Sequence, residues 1–234
     1  MEIYTLDVDL IELDVVQVKT WLREFRNLVE NAFANCNNEQ RILGNLLVLT
    51  RYRNTLQQGL SWEGKAISLG LQSAIELLWN FLERNICPLE FADFSNLLYE
   101  CHYINSVGEP DELPEPFYTE YFGNGYPCAY EWMAVEWVSG LLMQLVAIAG
   151  GRLDVDDFED CEYVDFYGVH LLLDQLAIIA EGWETLPFQK IAQIVSSDLQ
   201  RARNSYPEMF QLLRAEYQKY TLMSEENAKE LLNN

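Results

Sequence analysis

Positive charge is scarce in this chain. Against 15 Lys and Arg stand 37 Asp and Glu, giving 234 residues a formal net charge of −22 and an isoelectric point near 4.3. That shortage argues against direct binding to nucleic acid or to an anionic membrane, because both are captured by cationic surfaces. Paired cysteines are missing too. Cys36, Cys87, Cys101, Cys128 and Cys161 are odd in number, widely spaced and never arranged as CxxC. Neither a disulfide framework nor a zinc knuckle is expected, and reduced thiols point to the cytoplasm. The first residues, Met1 to Thr5, lack a basic region followed by an apolar run, so no signal peptide is expected. The longest apolar stretch, Trp137 to Gly151, is about 15 residues and contains Gln144, whereas a membrane span needs about 20.

Motifs that carry catalysis are equally sparse. The chain has no HExxH, no Glu-x-x-His pair, no GxSxG elbow, no Walker A loop and no GxGxxG. Gly150-Gly151-Arg152 could approach a phosphate but more simply caps a helix. Only two histidines occur. His102 falls near a helix end, and His170 precedes Asp174 by four residues, so those two share a helix face and could hydrogen-bond. Glu136, on an otherwise apolar run, is the best clue to an enzyme if it faces inward. A metal-dependent enzyme using Glu136, Asp174 and His170 is the weakest of three readings; no catalytic residue, metal or cofactor is expected.

Apolar residues, by contrast, make up 50% of the chain, with six Trp and thirteen Tyr, which supports a packed core and argues against both disorder and a salt-adapted surface. Steps of three and four predict helices throughout. Val18, Trp21, Leu22, Phe25, Leu28, Val29, Ala32 and Phe33 draw one stripe after the capping pair Asp14 and Gln17. A second helix starts near Asn37 or Asn38. A third spans Ala66 to Glu83, with Gln72, Glu76, Asn80 and Glu83 on one narrow polar face. Further helices run over about 89–103, 128–149 (the expected central helix), 168–181 and 188–202, with shorter ones toward the C-terminus. Strand signals are few: Leu6 to Leu10 alternates, as a strand or an extended arm would. The expectation is an all-α fold, a single domain over 1–234 with seven to nine helices and possible lobes 1–103 and 127–234. A long loop rich in proline and aromatics, 104–126, would join them, either as a cover over the core or as a binding loop.

The acidity is concentrated. Residues 104–167 hold 14 acids and a single base, Arg152. At the centre are Asp154, Asp156, Asp157, Glu159, Asp160, Glu162 and Asp165, interleaved with Phe158, Tyr163, Phe166 and Tyr167. The spacing fails as an EF-hand, since Glu159 stands where the glycine belongs. A solvated loop is the bland alternative. Clustered carboxylates without local cations repel one another, and a basic partner relieves that repulsion. The expected partner is therefore a basic, nucleic-acid-processing protein (a toxin, nuclease or defence-complex subunit), occluded by these carboxylates, with Tyr118, Tyr121 and Tyr163 as aromatic anchors. This is the behaviour of an immunity or anti-defence inhibitor. The rival from another class is a helical scaffold or assembly subunit whose acidity serves solubility and which self-associates through apolar patches, for instance as a homodimer.

Overall fold

The computed structural model describes residues 15–62, 69–107, 129–153, 161–183 and 186–233. The predicted stripe of α1 (Val15–Phe33) is its buried side, with Trp21, Leu22, Phe25, Val29 and Phe33 inside and Arg23, Glu24, Arg26 and Glu30 in solvent. A reciprocal cap opens α2 (Asn38–Trp62). The Gln40 N–H donates to Asn37 Oδ1 at 2.9 Å, and Gln40 Oε1 accepts from the Asn37 N–H at 3.2 Å. After α3 (Leu69–Arg84), a 3-10 turn at Pro88–Phe91 feeds α4 (Ala92–Val107). Then come α5 (Ala129–Ile148), α6 (Tyr167–Gly182) and α7 (Phe188–Arg203). A second 3-10 turn, Pro207–Met209, leads into α8 (Phe210–Tyr217), and Ser224 Oγ accepts from the Asn227 N–H at the start of α9 (Glu225–Asn233). The fold is all-α, with nine α-helices and no strand among the described residues.

The hub is α2, not the expected 128–149 run. Residues 41–50 are buried without a break, and α2 packs against α3, α5, α6, α7, α8 and α9. Its 25 residues give it a length of about 37 Å, enough to serve that many neighbours. Helix α5 is the most thoroughly apolar element and packs against α2, α3, α4 and α6. Its 20 residues are long and apolar enough by composition to cross a membrane, with 72% of that window buried inside the protein as in a core helix. Gly150, at φ 76°, and Gly151, whose N–H reaches Val146 O at 2.9 Å, end it with a left-handed cap.

The expected 104–126 loop also begins later. Ile104 to Val107 continue α4, and the remainder lies outside the described residues, as do Asp14 and Leu6 to Leu10.

Around α2 the charges are consumed by structure. On the α7–α8 side, Arg51 grips the buried Asp198 through Nε at 2.6 Å and Nη2 at 3.1 Å, and the Tyr217 hydroxyl donates to the same carboxylate at 2.6 Å. Arg201 pairs with Glu216 nearby, and the Arg51 guanidinium stacks over Tyr217 and Tyr220 at 4.8 and 4.6 Å. On the α3 side, Arg214 bridges Glu76 and Glu83.

Candidate partner-binding surface

Ahead of α6, residues 161–166 form an irregular segment whose backbone polar groups have no helix or sheet to satisfy them. Side chains of α2 and α5, buried except for the half-buried Asn38, do so instead. Asn38 Oδ1 accepts the Val164 N–H at 3.0 Å, and Arg41 Nη1 donates to Val164 O at 3.2 Å. Gln144 Oε1 accepts the Asp165 N–H at 3.1 Å, while Asn45 Nδ2 donates to Asp165 O at 2.9 Å. Asn45 is itself held by Trp137, whose indole N–H donates to Asn45 Oδ1 at 2.9 Å. Underneath, Val164 is fully buried and Phe166 packs on Phe33 with ring centroids 4.5 Å apart. Gly168 is required where α6 begins, because a Cβ there would lie 1.9 Å from Trp137 Cδ1.

The outward side chains are of a different kind. Glu162 and Asp165 are exposed, and between and beside them Tyr163 and Tyr167 are 56% and 54% exposed. Asp165 Oδ1 accepts the Tyr167 N–H at 3.0 Å, placing a carboxylate at the N-terminus of α6 where the helix dipole favours it. From α5, Glu136 Oε1 accepts the Tyr167 hydroxyl at 3.3 Å. Burial, then the neighbouring Glu136 and Asp165, push the Tyr167 hydroxyl above the usual tyrosine range, with Arg26 opposing. The Cys161 thiol is raised by burial and by Asp165, although it donates to Tyr163 O at 3.2 Å.

One arginine lies beneath this surface without neutralising it. Arg41 Cζ sits 4.7 Å from the centre of the Tyr163 ring, yet its N–H groups go to the carbonyls of Phe33, Cys36 and Val164. Among the described residues, neither Glu162 nor Asp165 takes part in an ion pair.

Of the expected partner-facing set, Glu162, Tyr163 and Asp165 share this short surface. Asp154, Asp156, Asp157, Glu159, Asp160, Tyr118 and Tyr121 lie outside the described residues. Tyr167, one of the aromatics interleaved with the acidic run, lies on it too, and Glu136 joins without having been assigned to it. The residues that hold it in place were also missed, although a trace of them is visible in the sequence. Asn38, Arg41 and Asn45 follow helical spacing, and Gln144 interrupts an apolar run.

The catalytic candidates resolve differently from expectation. His170 and Asp174 are not hydrogen-bonded to each other. Arg26 crosses from α1 to pair with Asp174, because a full cation is a stronger partner for a carboxylate than a neutral imidazole. The His170 ring instead meets Phe25 edge-on at 6.4 Å, and its Nδ1 is buried without a hydrogen-bond partner. Burial and the adjacent Arg26 lower its pKa to about 4. Glu136 is half-buried rather than inward-facing; the buried carboxylate of α5 is Glu131, 4% exposed. The His102 side chain lies outside the described residues, and no cluster of three His, Cys, Asp or Glu able to hold a metal occurs among those described.

In comparisons with protein-family models, curated proteins and solved structures, nothing matches this chain.

Proposed function

We propose that this protein is an acidic, cytoplasmic inhibitor that binds and occludes a basic, nucleic-acid-processing protein through the surface around residues 162–167. One observation carries the reading: Glu162 and Asp165 are exposed and outside any described ion pair, on a segment whose backbone is fixed by side chains of α2 and α5. A segment ordered before binding loses little conformational freedom on association. Unpaired carboxylates attract a cationic partner from a distance and stand where phosphates would otherwise lie. Tyr163 and Tyr167 add the apolar contact that charge lacks.

The test uses the partner retained from a cognate lysate, with affinity measured at rising salt and against added duplex DNA. Binding should weaken steadily with salt, DNA should compete, and Glu162→Lys with Asp165→Asn should reduce affinity by about tenfold or more. Salt-independent binding, or binding indifferent to the double variant, would defeat the proposal.

A second reading is favoured by a separate observation. Tyr206, Met209 and Leu212, three residues apart, are exposed to 67%, 38% and 73% along one side of the turn into α8. Such a stripe suits a scaffold that assembles with itself. Light scattering on the eluting protein decides it: a concentration-dependent mass that falls with Leu212→Ser supports assembly, and a monomer at all concentrations removes it.

A further inference from the structure

A groove lined in part by α3 shares no residue with the 161–167 segment. The α3 face opposite its core-packed side forms one wall of an open groove of about 610 Å3, and the 3-10 turn at Pro88–Phe91 with the first turn of α4 forms the other. The volume falls within the range of about 300–1,000 Å3 typical of ligand sites. Leu69, Leu77, Phe91 and Phe94 supply apolar lining, and Glu76 and Glu90 supply charge. On α3 the lining runs from Leu69 to Asn80 in steps of three and four, a straight strip about 17 Å long.

The two walls differ in charge. Glu76 and Glu83 share Arg214, and Arg53 on α2 also faces Glu76, so the α3 wall is balanced. Across the groove Glu90 is exposed and outside any described ion pair, with the exposed Asp93 three residues on. An anionic occupant is disfavoured by that wall. An added β-strand is disfavoured as well, because both walls are helical and offer no free row of backbone groups.

We infer that the groove takes an amphipathic helix of a partner protein, its apolar stripe against Leu69, Leu77 and Phe94 over the buried Phe91, and a flank of Lys or Arg along Glu90 and Asp93. A helix of about three turns matches the strip in length.

The probe is a fluorescein-labelled helical peptide of Leu and Lys with apolar residues at every third and fourth position. Two controls accompany it: a scrambled peptide of identical composition, and a Leu/Glu version of the same pattern. Fluorescence anisotropy with the full-length protein should show saturable binding of the first alone. Leu69→Ser and Glu90→Lys, both at exposed positions, should each weaken it by about fivefold or more, while Glu162→Lys with Asp165→Asn leaves it unchanged. Equal binding of the scrambled peptide shows charge attraction only and overturns the inference. So does the absence of binding, or loss of binding with the 162/165 variant but not with the groove variants. In that last case the acidic surface survives as a site and the groove does not.

Discussion

Asp198 and Asp165 are carboxylates of the same chain with opposite fates. Asp198 is 1% exposed and takes hydrogen bonds from Arg51 and Tyr217; burial raises its pKa, and Arg51 leads the contributions that oppose it. Asp165 is exposed, and among the described residues its side chain accepts a backbone N–H and takes part in no ion pair. Each region also has an arginine stacked on tyrosine, Arg51 on Tyr217 and Arg41 on Tyr163. Arg51 gives its N–H groups to a carboxylate, whereas Arg41 gives them to main-chain carbonyls. The protein therefore has the means to neutralise a carboxylate and uses it between α2, α7 and α8. At 162–165 the same kind of side chain fixes the backbone, and among the described residues the acids enter no ion pair. Neutralisation belongs to the body, presentation to the segment.

The largest test of that contrast removes the buried cation. Arg51→Met should destabilise the protein by about 3–5 kcal/mol, because Asp198 is left charged and buried without its partner. Urea denaturation reads the loss. A cost near that of a surface pair, below about 1 kcal/mol, would mean the pair is not the buried linchpin described.

Next is Asn45→Ala, which strips the anchor from the presented segment. The buried Trp137 N–H and Asp165 carbonyl lose their partner, at a cost of about 1–3 kcal/mol. Amide hydrogen exchange at residues 164–167 should accelerate more than exchange in α7. Uniform acceleration would show that Asn45 supports the whole core and not the segment in particular.

A buried group with neither a charge partner nor a hydrogen bond at Nδ1 sharpens the comparison further. His170 has a folded pKa of about 4, below the unfolded value of 6.5, so the unfolded chain binds more protons between them. Its contribution is complete above pH 6.5 and fades as the pH falls toward 4. From pH 7 to pH 5 the loss from this residue should be about 2 kcal/mol. Subtracting the same measurement on His170→Phe cancels the titrating carboxylates, including Asp198, whose raised pKa acts in the opposite sense. An identical pH dependence in the variant would remove His170 from the account.

Smallest of all should be the stability change on neutralising the presented acids. Glu162→Gln with Asp165→Asn keeps the hydrogen bond to the Tyr167 N–H and deletes both charges, so the unfolding free energy from urea denaturation should move by no more than about 0.5 kcal/mol. A marked gain in stability would show instead that repulsion between these acids strains the free protein.

Much of the architecture was legible from periodicity. Helix α2 opens at Asn38, where the sequence placed its start, and the polar face of α3 is where Gln72, Glu76 and Asn80 put it. Less of the site was legible. Glu162, Tyr163 and Asp165 could be picked from local charge and aromatic content, but Glu136 joins them only because Tyr167 reaches back across to α5.

By itself the sequence determined which stretches wind into helices and which side of each turns inward, since both follow from the spacing of side chains along one strand of backbone. Tertiary structure alone decided that α2 is the hub and that Arg26 takes Asp174 away from His170. It also decided that Arg41 serves carbonyls 8 and 123 residues away rather than the acids above it. These choices are contests between partners far apart in the chain, settled by which groups the packed helices bring within hydrogen-bonding reach.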